Sequence, residues 1–457
     1  MKMFSIPALA CAMTLGFGLA SAQTITPTRV GPVSQYGQLI TGKNSAGQGR
    51  IYGSCEGVKD GAEVQVRGMS LYWSMVAKST EFWTPEGIAT MVNDMNVQIV
   101  RAAMGTTNED WWGCKDGTES CGNDKSKHIT GYATDAEFQT NLMNTVVEAA
   151  IKNDIYVVID WHSHQAHEEV DNATKFFTEM AQKWGQYDHV IFELYNEPKE
   201  TSWGVIKDYA DKVVSAIRQH SDNLILVGNR KYDQNPQEAI NNEVTGENIA
   251  YTFHYYANSH CWEGQTSWGD PCEGANAQQA INAGLSVFVS EWGTADANGG
   301  GNPDTGRNTS WQNWMDQNKL SWANWSASKV EEGTAAFSSG SNRNSLQYTT
   351  SGQMVKEYLS TNPTTYTRCA TAPIPEPNPE EAIHGLHSAN FDVTFSGKAL
   401  NVSGATANVE IFTAKGDKLM DINNVQGELS LAAFPAGKYL VRVKSGSVSK
   451  MKAISIK

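Results

Sequence analysis

Short apolar runs alternate along most of this chain with longer stretches whose apolar residues recur at helical spacing. The runs are Val64–Met69, Val97–Arg101, Ile155–His162, Val190–Glu197, Leu224–Asn229, Ile249–Tyr256, Leu285–Glu291 and Leu320–Trp325. Near-continuous apolar runs of this length read as strands buried on both faces, as in a parallel sheet. A helix is expected at Thr84-Pro85-Glu86, where a cap residue precedes a proline at the first helical position. Others are expected over roughly 135–153, 172–185, 203–220, 235–242, 275–283 and 308–318, with a last one near 352–361. Eight strand–helix alternations close most simply into an α/β (β/α)8 TIM barrel of about 300 residues. The rival, an open doubly wound sheet, usually carries a Gly-rich phosphate loop after an early strand, and the sequence has none.

The pattern changes at both ends. Lys2, the apolar stretch Ile6–Leu19 and the small residues Ala20-Ser21-Ala22 read as a secretory signal over 1–22. The chain is therefore expected to be secreted or held at the cell surface, with no membrane span once the signal is removed. Residues 23–50 form a polar, Gly-rich leader, and the barrel is expected over 51–370. The linker, 371–381, contains the Pro-rich spacer Ala372-Pro373-Ile374-Pro375-Glu376-Pro377. Beyond it, the runs Phe391–Phe395, Ala407–Phe412, Leu429–Ala432, Lys438–Val443 and Lys452–Ile456 predict a small all-β, immunoglobulin-like sandwich over 382–457.

Charge and cysteine content narrow the picture. The net charge of −14 argues against a nucleic-acid partner or an anionic membrane surface and is compatible with a neutral polymer. Residues 382–457 carry nine Lys/Arg against five Asp/Glu, a net of +4, so the rest of the chain stands near −18. Apart from Cys11 in the signal, six cysteines remain, an even number that suggests disulfides in an exported chain. The favoured pairing is Cys114–Cys121 and Cys261–Cys272 as local staples, with Cys55–Cys369 tying the ends of the barrel domain, one of about 15 possibilities.

The candidate chemistry sits where the strands end. Arg101, Asp160-Trp161-His162, Asn196-Glu197, Asn229-Arg230, His254-Tyr255-Tyr256, Glu291-Trp292 and Trp325 close seven of the eight runs. In a barrel these are the positions that read as catalytic. Glu197 and Glu291 each end an apolar strand, a costly place for a carboxylate without a partner or a task. Paired carboxylates flanking a scissile bond are the equipment of glycoside hydrolysis. Fourteen tryptophans exceed the needs of a core, and pyranose rings stack on indoles. Trp73 and Trp292 are further subsite candidates, whereas Trp83, Trp111, Trp112, Trp203, Trp262 and Trp268 read equally as core or loop staples.

Five motifs in order carry a resemblance: Asp160-Trp161-His162, Asn196-Glu197-Pro198, His254-Tyr255-Tyr256, Ser290-Glu291-Trp292-Gly293 and Ser321-Trp322-Ala323-Asn324-Trp325-Ser326. Together with Gln35-Tyr36-Gly37-Gln38 and Arg67-Gly68-Met69-Ser70, they resemble glycoside hydrolase family 5, in detail its bacterial cellulase branch, subfamily 2. The resemblance covers roughly residues 33–365 and implies a secreted, retaining endo-β-1,4-glucanase acting on a cellulose-like β-glucan, with no cofactor and no metal. It implies Glu197 as acid/base and Glu291 as nucleophile, with Arg101 and Tyr256 in the substrate-binding set and holding Glu291. It implies Asn196 on the sugar 2-hydroxyl, His162 and His254 lining the cleavage subsite, and Trp325 as its platform. Lys329 and Glu332 stand where that branch grips a distal glucose, although Lys329 is shifted by one position. An always-charged Arg101 would keep Glu291 ionised, and ionised Glu291 would raise the pKa of Glu197.

Other readings compete. Another β-glycanase (a mannanase, xyloglucanase or mixed-linkage glucanase) fits the same barrel. A carbohydrate-binding protein on a dead barrel predicts loss of one carboxylate, and both are present. The run His162-Ser163-His164-Gln165-Ala166-His167-Glu168-Glu169 offers metal-ligand residue types but reads better as a polar loop beside the cleft. The ending Pro435-Ala436-Gly437-Lys438-Tyr439-Leu440-Val441-Arg442-Val443 resembles sorting domains of the type IX export pathway. The alternative, a carbohydrate-binding module, lacks an indole platform, because no tryptophan occurs after residue 370.

Overall fold

The structure is a computed structural model that describes residues 25–55, 62–107, 114–115, 127–264, 271–374, 392–396, 398–413, 418–445 and 448–456. The signal segment, Cys121, Trp111, Trp112, Trp268 and most of the Pro-rich linker lie outside the described residues. No described helix is long and apolar enough to cross a membrane.

Strands β1 (Leu39–Lys43) and β2 (Gly49–Gly53) pair as an antiparallel hairpin. Then come β3 (Arg67–Leu71), β4 (Ile99–Gly105), β5 (Tyr156–His162), β6 (Val190–Glu193), β7 (Ile225–Val227), β8 (Ile249–Tyr256), β9 (Val287–Gly293) and β10 (Trp322–Ala327). These eight are parallel and close into a barrel, with β10 pairing back to β3. Each coincides with one of the eight apolar runs. The helices Pro85–Met95, Ala136–Lys152, Val170–Trp184, Trp203–Ile217, Glu273–Asn282, Thr305–Gln317 and Thr350–Leu359 follow the expected order. Thr84 caps the first of them by accepting from Gly87 N at 3.1 Å. Where a helix over 235–242 is expected, only a 3-10 turn forms, over Pro236–Ala239. The preceding chain is committed to a tight turn, with Asn229 Oδ1 accepting from Asn235 N at 2.7 Å.

The alternation of side chains across each strand sorts the core into two layers. Val100, Ala102, Val157, Ile159, Val190 and Phe192 pack outward against the helices. Ile99, Tyr156, Val158, Ile191, Leu226, Ala250 and Phe288 meet in a second cluster inside the lower barrel. Val33, Leu39 and Ile51, from the N-terminal segment and its hairpin, join that cluster and close the bottom. Asp154 fastens the segment by accepting from Gly31 N at 2.5 Å and Ser34 N at 3.1 Å.

Strand β9 is irregular. Thr252 pairs with Phe288 but His254 pairs with Glu291, so two steps on β8 oppose three on β9. Such a bulge re-aims side chains, and here it brings Ser290 and Glu291 to the upper interior together.

The C-terminal unit is an all-β antiparallel domain of β11 (Asp392–Ser396), β12 (Ala399–Thr413), β13 (Lys418–Ser430), β14 (Gly437–Ser445) and β15 (Val448–Ile456). β12 and β13 form a long ladder whose register shifts between Val402 and Ala407. Leu400 and Val402 on one side of that shift share a core with Val409, Ile411, Val441 and Val443 on the other. The first half of β13 escapes the apolar pattern because Asp421, Asn423 and Asn424 occupy it. Cys55 is bonded to Cys369 with Cα atoms 6.0 Å apart, and Cys261 to Cys272 with 5.1 Å.

Candidate active site

The upper strand ends surround a cleft of about 230 Å³ that Glu197 and Glu291 both line. One oxygen of each carboxylate and a nitrogen of His254 lie within 4.8 Å of one another. A larger cavity, about 470 Å³, opens on the barrel's other end between β1 and the start of β8. Glu243 and Glu247, its carboxylates, are exposed, and no buried charge pair faces it.

Arg101, fully buried on β4, organises the floor of the cleft. It donates to Glu291 Oε2 at 2.8 Å, Glu193 Oε2 at 2.7 Å and Asn196 Oδ1 at 2.6 Å, and it lies 3.0 Å from Asp160 Oδ2. A buried guanidinium is tolerated only with such a full set of partners. Tyr256 donates to the other Glu291 oxygen at 2.7 Å. Glu197 faces His254, whose Nδ1 is 3.0 Å from its Oε1. His254 Nε2 is 2.9 Å from Ser290 Oγ, which donates to Glu193 Oε1 at 2.8 Å.

The charges settle differently from the expectation. Burial raises Glu291, and the neighbouring charge of Glu197 raises it further. Arg101 pulls it down too weakly because three carboxylates share that cation. Burial also pushes Glu197 upward, but the hydrogen bond and charge of His254 outweigh it and hold that carboxyl below its ordinary range. Burial works against the imidazolium of His254, yet Asp233, Glu193 and Glu197 lift it well above the ordinary imidazole value. His254 is thus the proton-sharing partner of Glu197; contrary to the expectation that it lines the subsite, it is buried behind Glu197 and borders no part of the cleft. His162, buried and close to Arg101, is held neutral, with Nδ1 2.7 Å from Asp160 Oδ2.

A profile of the cellulase family, glycosyl hydrolase family 5, matches residues 58–331. The chain belongs to glycosyl hydrolase family 5. Endoglucanase Z of Dickeya dadantii is 37% identical over 299 residues, covering 65% of this chain and 62% of that relative. The chain thus spans under two thirds of that relative's length. A solved structure from Cytophaga hutchinsonii is 32% identical, with TM-score 0.61, covering 72% of this chain and 96% of that one. The catalytic domain of Thermobifida fusca endoglucanase Cel5A, solved with cellotetraose, is 26% identical, with TM-score 0.58, covering 73% of this chain and 100% of that one.

Within this family 5 barrel, Trp73, His162, Asn196, Glu197, Tyr256, Glu291, Trp325 and Glu332 share the cleft. Trp73 stands edge-on to His162 at 4.2 Å, and Trp325 lies parallel to the same ring at 5.4 Å. Three further expectations are corrected. Trp292 is fully buried on the helix side of the wall, against Tyr255 at 5.7 Å and Trp322 at 5.4 Å, because the residue after bulged Glu291 turns outward. Arg101 has no exposed surface, so it holds side chains rather than sugar. Lys329 faces a neighbouring cavity, where Glu81 pairs with its ammonium and Ser341 O accepts from it at 3.1 Å.

The His164–Glu169 loop is explained by hydrogen bonds. His164 Nδ1 is 3.0 Å from Glu197 O, His167 Nδ1 is 2.7 Å from Tyr195 OH, and Glu169 accepts from Trp161 Nε1 at 2.7 Å. Neither metal-sized cluster among the described residues includes His164 or His167. Trp83 and Trp203 are core residues.

Four functional neighbours escaped the sequence reading. Glu193 sits two residues beyond Ile191 on the same inward face, and a glutamate inside an apolar strand was its signal. Tyr72 packs at a tilt against Trp325 at 4.9 Å and donates to Glu332 at 2.7 Å. Ser290 needed the bulge to be seen. Asp233 lies in a loop with no local signal.

Proposed function

We propose that this chain is an exported endo-β-1,4-glucanase that cleaves with retention, Glu291 acting as nucleophile and Glu197 as acid/base. The observation that carries the reading is the approach of the two carboxylates to within 4.8 Å. Oxygens that near favour the covalent route, for which carboxyls stand about 5–5.5 Å apart, over the gap of about 6.5–9.5 Å that admits a water in an inverting enzyme. The Thermobifida fusca relative solved with cellotetraose supports a β-glucan as the substrate.

In this reading, Glu291 attacks the anomeric carbon while the glycosidic oxygen leaves with the proton shared by Glu197 and His254. The glycosyl ester removes the charge of Glu291. Glu197 then takes a proton from water, whose oxygen attacks the same carbon, and Glu291 departs as a carboxylate. Arg101 and Tyr256 fix both oxygens of Glu291, so the nucleophile needs no reorientation. Asn196 accepts from Arg101 at its carbonyl oxygen, which leaves its NH₂ to donate to the sugar 2-hydroxyl. Trp325 and Trp73 offer apolar surface to the ring.

Glu291→Gln is expected to lose activity on soluble β-glucan by about 10⁴-fold or more, and NMR of a fresh digest should show the β-anomer first. Near-full activity of that variant, or the α-anomer first, sinks the proposal. Parallel rates on carboxymethylcellulose, mannan, xylan and lichenan separate a cellulase of the subfamily 2 type from another β-glycanase. Residues 1–22 serve as the export signal, and 382–457 serve surface sorting rather than sugar binding. Equal pelleting with cellulose of the full chain and a chain ending at 381 supports sorting, whereas loss of pelleting on truncation reverses it.

A further inference from the structure

Three consecutive residues after β7 take left-handed backbone angles: Lys231 (φ 56°, ψ 55°), Tyr232 (φ 58°, ψ 46°) and Asp233 (φ 61°). None is glycine, and such residues persist only where their surroundings hold them, most often at functional sites. This turn grips the Glu197 region twice. Lys231 N donates to Lys199 O at 2.8 Å and Tyr232 N to Pro198 O at 2.9 Å, the two residues that follow Glu197. Asp233 Oδ1 accepts from Asn229 N at 2.6 Å. Its Oδ2 is buried without a hydrogen-bond partner, 3.5 Å from His254 Nε2. The Thr252 hydroxyl donates to Val227 O at 3.3 Å and also lies close enough to this carboxyl to lower it slightly.

The proton inventory gives that orphan oxygen a task. The Ser290 hydroxyl proton is committed to Glu193, so Ser290 can only accept from His254 Nε2. Nε2 therefore keeps its hydrogen, and Nδ1 is the position where a proton comes and goes, shared with Glu197. His254 is faced by Asp233 from the turn, Glu193 from β6, Glu197 from the loop after β6, and Glu291 beside Ser290 on β9. Arg101 and Asp160 stand behind Glu193, and His164 lies 3.8 Å from Glu197. Of the four carboxyls facing His254, Glu193 and Glu291 are tied to Arg101, and Glu197 is to act on the substrate. Asp233, which does not line the cleft, turns its buried, unpaired oxygen toward the imidazole.

We propose that Asp233 is a positioning residue for the acid/base, its carboxyl keeping the proton shared by His254 and Glu197 from leaving the site as pH rises. This rests on the assignment of Glu197 above. Burial pushes Asp233 well above the ordinary carboxylate range. The charge of His254 works against that rise, and an anion beside His254 makes the shared proton harder to remove. Without it, that proton is lost at lower pH.

The test is the pH dependence of kcat/KM for Asp233→Asn on two aryl β-cellobiosides. Phenyl leaves only with acid assistance, whereas 2,4-dinitrophenyl does not need it. The alkaline limb with the phenyl substrate should move down by about one pH unit, a loss of roughly tenfold above the limb. The dinitrophenyl substrate should lose about threefold or less. An unmoved limb, or equal losses on both substrates, overturns the proposal. Should the variant not fold, ¹⁵N NMR of the wild-type histidines decides: His254 should remain imidazolium at pH 8, and a ring already neutral at pH 7 overturns it. Glu197→Gln tests the underlying assignment separately. It should lose the phenyl substrate far more than the dinitrophenyl one and give a β-glycosyl azide with added azide. Failure there removes the acid/base reading itself, whatever Asp233 does.

Discussion

The lower and upper halves of the barrel interior share the same inward faces of the same strands, yet one is apolar and the other charged. On β4 the step is from Ile99 to Arg101, on β5 from Val158 to Asp160, on β6 from Ile191 to Glu193, and on β9 from Phe288 to Ser290. Each change takes two residues, the period of a strand. The lower layer, capped by the N-terminal hairpin, keeps water from reaching the charges from below. In that dry setting each charge acts strongly on its neighbours, and five carboxyls are arranged around Arg101 and His254. The division teaches that stability and chemistry are stacked along single strands, so a substitution two positions away should change one and spare the other.

The largest effect that tests this division comes from Arg101→Met set against Ile191→Ala. Removing Arg101 leaves Asp160, Glu193 and Glu291 without their shared cation. Breaking a buried ion pair from one side costs about 3–5 kcal/mol, and losing a donor to the reacting carboxylate costs about 10²–10³-fold in kcat. Ile191→Ala should cost about 2–5 kcal/mol through the cavity it leaves, while kcat per folded molecule stays within about twofold. Thermal melts and kcat, measured side by side on both variants, check the contrast. An Arg101 variant that melts early but keeps its kcat would reduce the upper half to structure. A stable Ile191 variant with a low kcat would join the two layers.

The division also explains what could be read from residues alone. Eight apolar runs were legible because burial on both faces leaves a continuous apolar signature. Glu197, Glu291, Arg101 and Tyr256 were legible because a polar residue ending such a run contradicts its surroundings. The N-terminal hairpin was not, since Thr41, Lys43 and Asn44 dilute its pattern and, of its side chains, Leu39 and Ile51 are the ones that join the apolar cluster of the lower barrel. Trp292 was misplaced because the β9 bulge shifts side-chain parity after Ser290, and an extra residue in one strand leaves no mark in periodicity. The protonation of the pair could not be read either. It depends on Asp233, which three left-handed residues carry to His254 from a polar loop.

The smallest effect separates two indoles close together in the wall of the upper barrel. Trp325 on β10 borders the cleft, stacked on His162 and packed at a tilt against Tyr72. Trp292 on β9 points the other way, into the aromatic cluster of Tyr255 and Trp322 under the helices. Trp325→Ala removes a ring face offered to substrate, a contact of about 0.5–1.5 kcal/mol, and should raise KM by roughly threefold to tenfold with little change in melting temperature. Trp292→Leu leaves a partly filled core position and should lower the melting temperature while KM on soluble β-glucan stays within about twofold. Isothermal titration with cellotetraose on Glu291→Gln carrying each substitution measures the contrast without turnover. Weakened binding from the Trp292 change alone would return that residue to the cleft. The expected reverse places the boundary between sugar contact and core at the wall itself, where β9 gives up one residue of register.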